Sequence, residues 1–297
     1  MEPPSAPTPH LGVDAAPVPR PEPLAGYRGS RLLGVRGVLV STVSTVVVLV
    51  ALGVLIANAP GSAVVQERFF SWTHIRQAFP QVLAGFAFNV RMFLVAEAFI
   101  LVFALVLAVI RSLPGPWFFP LRAMVVGYVD LFRGIPLILL LYIVGFALPG
   151  LGLQGISTQS LFVYGVVSLV LVYSAYVAEV YRAGIESVHE SQTAAARSLG
   201  LNRWQTLRYV VLPQAVRRVI PPLLNDFIGL QKDTALVATL GLVEALREAQ
   251  AYGVEKFNYA GFVVAAVLFV LITIPLARFT DYLVARDRRR RQAGTRV

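Results

Sequence analysis

Residues 191–213 read SQTAAARSLGLNRWQTLRYVVLP and belong to the longest polar interruption of an otherwise apolar sequence. The alanine-rich start favours a helix, and Gly200 can adopt the left-handed conformation that ends one. Asn202 can cap a second helix, with Gln205 three residues later as its capping-box partner. Pro213 disfavours the helical conformation at the residue before it. The pattern predicts two short helices joined by a sharp turn, and the second helix ends near the proline.

The second predicted helix is amphipathic. Its apolar stripe consists of Trp204, Leu207, Val210 and Val211. Arg203 and Arg208 face elsewhere. A compact helix pair of this kind can fit a groove on a partner protein. An amphipathic segment can equally lie on anionic lipid. The residues alone leave both interpretations open.

Long apolar runs flank this segment on both sides. Hydrophobic residues make up 57% of the 297 residues and charged residues 14%, whereas soluble domains are roughly a quarter charged. A run of ~20 apolar residues can cross a bilayer. The first run is longer than the ~7–15 residues of a signal peptide, which favours a span over a cleaved leader. The runs lie at about 38–57, 82–110, 121–148, 158–181, 213–231 and 258–284.

Prolines interrupt two of these runs. Arg133-Gly134-Ile135-Pro136 lies inside the third run, and proline removes a helix hydrogen bond and clashes with the preceding turn. We therefore expect a break there, with 121–133 near the cytoplasmic interface and 135–148 crossing. The fifth run contains Pro213, Pro221 and Pro222, so it should be bent or start late.

Arginine placement predicts the orientation. Most of the 26 cations fall in the N-terminal tail, in the 111–122 and 182–218 segments and near the C-terminus. The positive-inside rule then favours six spans with both ends cytoplasmic. Residues 1–30 hold eight prolines in the first 23 positions and should be a disordered cytoplasmic tail. The basic tail, 285–297, is expected to contact anionic headgroups rather than nucleic acid.

Several chemistries are not expected. The chain has no cysteine and three histidines without motif spacing, which excludes a disulfide scaffold and thiolate sites and argues against a histidine metal site. It shows no nucleophile or paired-acid constellation, so an enzyme is not expected. Neither of its two lysines follows a glycine, so the chain has no phosphate-binding loop of the GxxxxGK[ST] type.

The spacing of the polar segment resembles the coupling motif of bacterial ABC importer permeases. That motif is E-A-A, three residues, G, nine residues, I, one residue, L-P, and Ala194 stands here where the family commonly has Glu. The matching residues are Ala194, Ala195, Ala196, Gly200, Val210, Leu212 and Pro213.

The resemblance extends over about residues 82–284. Together with the coupling motif, it identifies the chain as similar to permeases of polar-amino-acid importers, the histidine, glutamate/glutamine, arginine and opine group. It implies an all-α, type I importer permease fold, and the first span (31–60) lies outside the usual core. The segments that carry it are Phe132–Leu137, Tyr176–Glu179, Arg182–Ile185, Asn225–Phe227 and Lys232–Val237.

The resemblance also implies partners. Such permeases work in pairs, identical or paralogous, with two cytoplasmic ATPases that consume ATP and an external solute-binding protein. The chain itself is expected to bind no cofactor, and glutamate or glutamine is the first candidate solute. A self-sufficient transporter or channel and a non-transporting scaffold for an ATPase are the alternatives. The expected ATPase-coupling residues are Ala194, Ala195, Ala196, Gly200, Arg203, Trp204, Leu207, Leu212 and Pro213.

Charges in or beside spans are expensive and often functional. Arg133 and Pro136 lie at the predicted break, and Lys232, Asp233 and Thr234 follow the fifth run, so these five are candidates for the substrate pathway.

Structural pairing is the alternative for these charges. Arg133 could pair with Asp130, and Lys232 with Asp233 or Asp226. Glu179 and Arg182, three residues apart, are expected to pair and to brace the coupling segment.

Overall fold

A computed structural model describes residues 35–294, with side chains at 37–286 and 289. The predicted disordered tail, 1–30, lies outside the described residues, as do the side chains of most of the C-terminal arginine run. Within the described part the protein is helical and contains no strand, which confirms the all-α prediction.

The chain divides into two units, the first ending at Ser62. The first unit holds α1 (Val35–Ala57). The second holds α2 (Ser62–Phe70), α3 (Trp72–Ser112), α4 (Phe119–Gly134), α5 (Leu137–Tyr142), α6 (Leu148–Gly150), α7 (Leu161–Glu186), α8 (Glu190–Ser198), α9 (Arg203–Thr206), α10 (Leu212–Asp233), α11 (Ala245–Lys256) and α12 (Ala260–Gly294). Two π-helical turns, Ile143–Ala147 and Leu207–Val211, link α5 to α6 and α9 to α10, and Thr234–Leu240 is a 3₁₀ segment.

Fewer helices than six meet the length and apolarity that a span requires. The helix that corresponds to the fifth predicted run, α10, falls short because it carries Arg217, Arg218, Asp226 and Lys232. In the described residues, four segments qualify, or five if a pair bent by 105° is counted as one. They are Gly37–Ala57, Ser62–Ser112, Leu161–Glu186 and Ala260–Arg286, with the bent pair Pro116–Gly134 and Leu137–Gly150 as the fifth.

The core of the second unit forms around α3 and α7. Fully buried side chains from both helices, such as Ile100 and Leu169, pack with Leu141 of α5 and Leu230 of α10. A smaller cluster joins the start of α3 to α11 and α12. In a bilayer, lipid tails are as apolar as leucine, so close van der Waals packing holds such helices together.

Small residues allow the closest helix approaches. A Cβ on Gly85 of α3 would lie 2.6 Å from the backbone carbonyl carbon of Glu244. A Cβ on Gly184 of α7 would collide with the side chain of Val219 on α10. Glycine at these two contacts therefore lets α3 approach the start of α11, and α7 approach α10.

A buried polar cluster joins α3 to the start of the Thr234–Leu240 segment and to the start of α11. The Asn89 side-chain amide donates to Glu244 Oε2 (3.1 Å) and Thr234 Oγ1 (3.3 Å), and the backbone N–H of Ala245 donates to Asn89 Oδ1 (3.0 Å). Glu244 caps α11 by accepting from two backbone N–H groups of its first turn. Because each partner is almost fully buried, loss of one would leave an unpaired polar group in the core.

Candidate functional site

The turn between α8 and α9 has the geometry that the sequence predicts. Gly200 is left-handed, with φ +84°. Its N–H donates to the Arg197 carbonyl (2.9 Å), and the next N–H, of Leu201, donates to the Ala196 carbonyl (3.2 Å). This double hydrogen bond is the Schellman motif, which ends a helix and reverses the chain.

A capping box starts α9. The Asn202 side chain accepts from the backbone N–H of Gln205, and the Gln205 side chain accepts from the backbone N–H of Asn202, both at 2.9 Å. The predicted capping pair is thus confirmed, and it satisfies backbone donors that the start of a helix otherwise leaves unpaired.

The predicted helix end before Pro213 is wrong. Leu212 is helical, with φ −59° and ψ −44°, and the chain continues from α9 into α10. The π-helical turn at Leu207–Val211 widens the backbone ahead of the proline and accommodates a residue that cannot donate the normal bond. The second helix is therefore one continuous rod from Arg203 to Asp233.

An exposed surface lies on this helix pair. Leu199 is 84% exposed and Trp204 66% exposed, and Ala194 and Ala195 are exposed beside them. These four residues form what we call the coupling surface. Ala196, in contrast, is buried at 4% exposure, so the three alanines of the motif do not share one environment.

The predicted apolar stripe divides between two environments. Leu207 is partly exposed on the same rod as Trp204, whereas Val211 is buried. The Gln214 side chain donates to Gln192 Oε1 (2.6 Å), which ties α8 to α10. This hydrogen bond is one direct contact between α8 and the start of α10.

An ion cluster braces the elements that precede the coupling surface. Glu179 accepts from Arg182 at 2.7 Å, as the sequence predicts, and also from Arg111 at the end of α3. Arg182 bonds Glu186 as well, and Arg218 of α10 donates to the Ser187 carbonyl after α7. The ends of α3, α7 and α10 are therefore linked to one another.

A cavity of about 500 Å³ lies where the α4–α5 break meets α7 and α10. Its lining includes Arg133 and Pro136 from the break, Tyr173 from α7, and Asp226 and Asp233 from α10. The Tyr173 hydroxyl donates to Asp233 Oδ2 at 2.7 Å.

A second cavity, of about 400 Å³, continues from the first. The two cavities share Arg133, Tyr176 and Asp226, and the second reaches Glu179 and Arg218 beside the ion cluster. The Arg133 guanidinium lies over the Tyr176 ring, 5.5 Å from its centroid. This stacked pair therefore lies where the two cavities meet.

The structure separates the five predicted pathway residues. Arg133, Pro136 and Asp233 line the larger cavity. Lys232 is exposed and does not line it, and Thr234 is fully buried in the polar cluster with Asn89.

The pairing alternatives do not hold either. Among the described side chains, no salt bridge joins Arg133 to Asp130, or Lys232 to Asp233 or Asp226. Sequence reasoning also missed Tyr173 and gave Asp226 only as a pairing partner. An acid inside a predicted span was the available signal for Asp226.

The cavity offers charges of both signs. Arg133 can pair with a carboxylate. Asp226 and Asp233 line the same cavity and supply negative charge, which can accept from an ammonium group. This arrangement suits a small zwitterion.

Residues 115–289 match a protein family described as the binding-protein-dependent transport system inner membrane component. The probable amino-acid permease protein YxeN of Bacillus subtilis (strain 168) is 31% identical over 68% of this chain and 89% of its own length. The glutamate/aspartate import permease protein GltK of Escherichia coli O157:H7 is 31% identical over 73% and 98%. The glutamine transport system permease protein GlnP of Escherichia coli (strain K12) is 32% identical over 70% and 93%.

Solved structures resemble the chain in fold. A chain of the crystal structure of an amino acid ABC transporter with histidines is 27% identical, with a TM-score of 0.64 over 70% of this chain and 94% of that one. A chain of the inward-facing MetNI methionine ABC transporter is 22% identical, with a TM-score of 0.56 over 69% and 95%, and shows the shared fold alone.

Proposed function

Since this chain belongs to the family of binding-protein-dependent transport system inner membrane components, we propose that it is the permease subunit of an ATP-driven importer of polar amino acids. The observation that carries the proposal is the unbroken helix from Arg203 to Asp233. One end of this rod carries Trp204 of the coupling surface, and the other carries Asp226 and Asp233 of the cavity. A displacement at the surface can therefore reach the cavity along continuous helical backbone.

The cavity residues support an amino acid as the solute. Arg133 would receive the α-carboxylate, and Asp226 would accept from the α-ammonium group, which gives each charge of the solute a partner in the same cavity. Pro136 and Asp233 would complete the site. Glutamate or glutamine is the preferred candidate because relatives are named for these solutes.

The coupling surface would bind a cytoplasmic ATPase. Exposed Trp204 is an aromatic anchor of the kind that dominates protein interfaces, and exposed Leu199 adds apolar area to the same surface. Closure of an ATPase dimer would displace α8 and α9, and the rod would tilt as a rigid body between two states of the cavity. Arg203 would assist the contact at the start of the rod, whereas Leu212 and Pro213 would serve as parts of the rod.

The wider assembly follows from the same proposal. The chain would pair with a second permease, identical or paralogous, and receive solute from an external binding protein. Both termini would be cytoplasmic, with α10 crossing the membrane and its polar side turned to the cavity. An extra first span (31–60), a permease core (82–284) and a basic tail (285–297) would make up the chain.

Transport by the reconstituted assembly tests the solute site. Arg133→Gln should lower glutamate or glutamine uptake by about tenfold, because a charged hydrogen bond contributes ~1.5–3 kcal/mol. Arg278→Gln, an exposed cation on α12, is the matched control and should leave uptake unchanged. Equal uptake by both variants would remove Arg133 from the pathway, and uptake without the ATPase would favour a self-sufficient transporter.

Site-specific crosslinking tests the coupling surface. The chain has no native cysteine, so Trp204→Cys and Ala195→Cys each present a single thiol. Both should capture the ATPase in membranes, whereas Ala196→Cys should not, because that position is buried. Failure of Trp204→Cys to capture an ATPase that copurifies with the chain would refute the assignment of this surface.

A further inference from the structure

A wholly apolar groove of about 500 Å³ runs between α3 and α7, apart from the solute cavity. Every residue that lines it is Val, Phe or Leu. The lining includes Val95, Phe99 and Phe103 from α3 and Val163, Val167 and Leu171 from α7. Nothing in the proposed transport cycle uses this α3–α7 groove.

A cation lies at one end of the groove. The Arg91 guanidinium is 5.5 Å from the ring centroid of Phe162, and Phe162 is a lining residue in the first turn of α7. Arg91 is one helical turn before Val95 on α3, so it continues the same row of side chains. Among the described residues, no carboxylate forms a salt bridge with Arg91. An exposed cation beside apolar surface requires a partner anion or water.

Along α3, Arg91 and Arg111 are separated by about the thickness of a bilayer core. Arg91 and Arg111 are 20 residues apart on this one helix, which is about 30 Å at ~1.5 Å per residue. The hydrocarbon core of a bilayer is also about 30 Å thick. From Arg91 to Phe103 the helix rises about 18 Å, so the groove extends through roughly one leaflet.

We propose that the α3–α7 groove holds one acyl chain of an anionic phospholipid, and that the lipid phosphate pairs with Arg91. The groove supplies the apolar length that the chain needs, and Arg91 supplies the charge for the headgroup at its mouth. The first helix of the same chain is a poorer occupant, because its sequence over Val35–Ala57 contains no acidic residue to pair with Arg91. The site itself does not depend on the proposed orientation of the chain.

Native mass spectrometry of the delipidated full chain tests the headgroup contact. Titration with phosphatidylglycerol should show one lipid retained by the native chain and about fivefold weaker retention by Arg91→Gln, the effect of one basic residue on an anionic lipid. Arg76→Gln, an exposed cation of α3 away from the groove, should bind like the native chain. Equal affinity of the two variants would overturn the proposal, as would equal binding of inorganic phosphate alone, which would leave a simple anion site.

Filling the groove provides an independent variant. Val167→Trp should abolish retention of the tight lipid, whereas Val102→Trp, on the exposed side of α3, should not. Retention by both variants would show that the acyl chain lies elsewhere. Since lipid binding is measured without the ATPase or a solute, its failure would leave the proposed transport function untouched.

Disulfide trapping distinguishes a lipid from a protein occupant. In a chain with Val167→Cys alone, oxidation should not yield a disulfide-linked dimer. In a chain with both Val167→Cys and Val47→Cys, oxidation should not yield a disulfide between the groove and the first helix. Either bridge at high yield would place protein in the groove and overturn the proposal. Absence of both, together with lipid retention that depends on Arg91, would support it.

Discussion

Two proline-containing segments take opposite courses. Before Pro136 the helix ends, Ile135 becomes extended with φ −88° and ψ 127°, and the chain turns by 105°. Around Pro213 the helix continues, and Pro221 and Pro222 lie inside α10 without ending it. Proline disfavours a helical residue before it, yet only the first segment shows a break.

The turns that precede Pro136 and Pro213 also differ. A π-helical turn before Pro213 gives its ring room, whereas α4 remains regular up to Gly134. The two outcomes suit different tasks. The broken segment lines the cavity with Arg133 and Pro136, and the continuous segment joins that cavity to the coupling surface. In the proposed transport cycle, the α4–α5 break would contribute to the solute site, and the continuous helix would transmit a displacement to it.

The largest expected effect comes from disconnecting the continuous segment from α8. Gly200→Pro cannot adopt φ +84° and loses the N–H that bonds the Arg197 carbonyl. We expect loss of solute-stimulated ATP hydrolysis in the reconstituted assembly, with normal amounts of protein in the membrane. Gly155→Pro is the matched control, since Gly155 is also left-handed (φ +80°) but lies before α7. Stimulation that survives in Gly200→Pro would mean that the rod does not carry the signal.

An intermediate effect is expected from relaxing the broken segment. Pro136→Ala frees Ile135 to become helical, so the cavity lining should shift and uptake should fall a few-fold. Stability should fall by about 0.4–1 kcal/mol, because proline restricts the unfolded chain. Uptake and thermal unfolding measure the two effects, and Pro149→Ala, in α6, is the control. Unchanged uptake would show that the break does not depend on the proline.

The smallest effect is expected at the π-helical turn. Pro213→Ala should change the free energy of unfolding by less than about 1 kcal/mol, because the π-helical turn before it already accommodates the proline ring and its missing N–H. Thermal unfolding in detergent and amide exchange over 207–213 would measure it. A gain approaching the ~3 kcal/mol cost of a helix-interior proline would show instead that Pro213 strains the rod.

Local features were predictable because neighbouring residues determine them. The capping box of Asn202 and Gln205, the left-handed Gly200 and the break at Pro136 each depend on contacts within a few residues. The Glu179–Arg182 pair belongs to the same class, since the two residues are one helical turn apart. The course of the chain at Pro213 was mispredicted because a π-helical turn has no signal in sequence spacing.

The cavity at the α4–α5 break was only partly predictable. Lys232, Asp233 and Thr234 are consecutive, and each helical residue turns by about 100°, so they face three directions. Only the packing of α10 against α7 and α3 selects Asp233 for the cavity and places Thr234 in the core. The Arg111–Glu179 contact joins residues 68 positions apart, and no periodicity reveals such a pair.

Composition and spacing by themselves determined that the protein is an all-helical membrane protein, and that a capped helix pair interrupts its apolar runs. These properties depend on transfer from water to lipid and on hydrogen bonds between near neighbours. Tertiary structure alone decided that Ala196 is buried beside exposed Ala195, that Arg133 shares a cavity with Asp226, and that Arg91 ends an apolar groove. The rotation of each helix about its own axis is settled by packing against distant helices, and a single sequence does not specify those contacts.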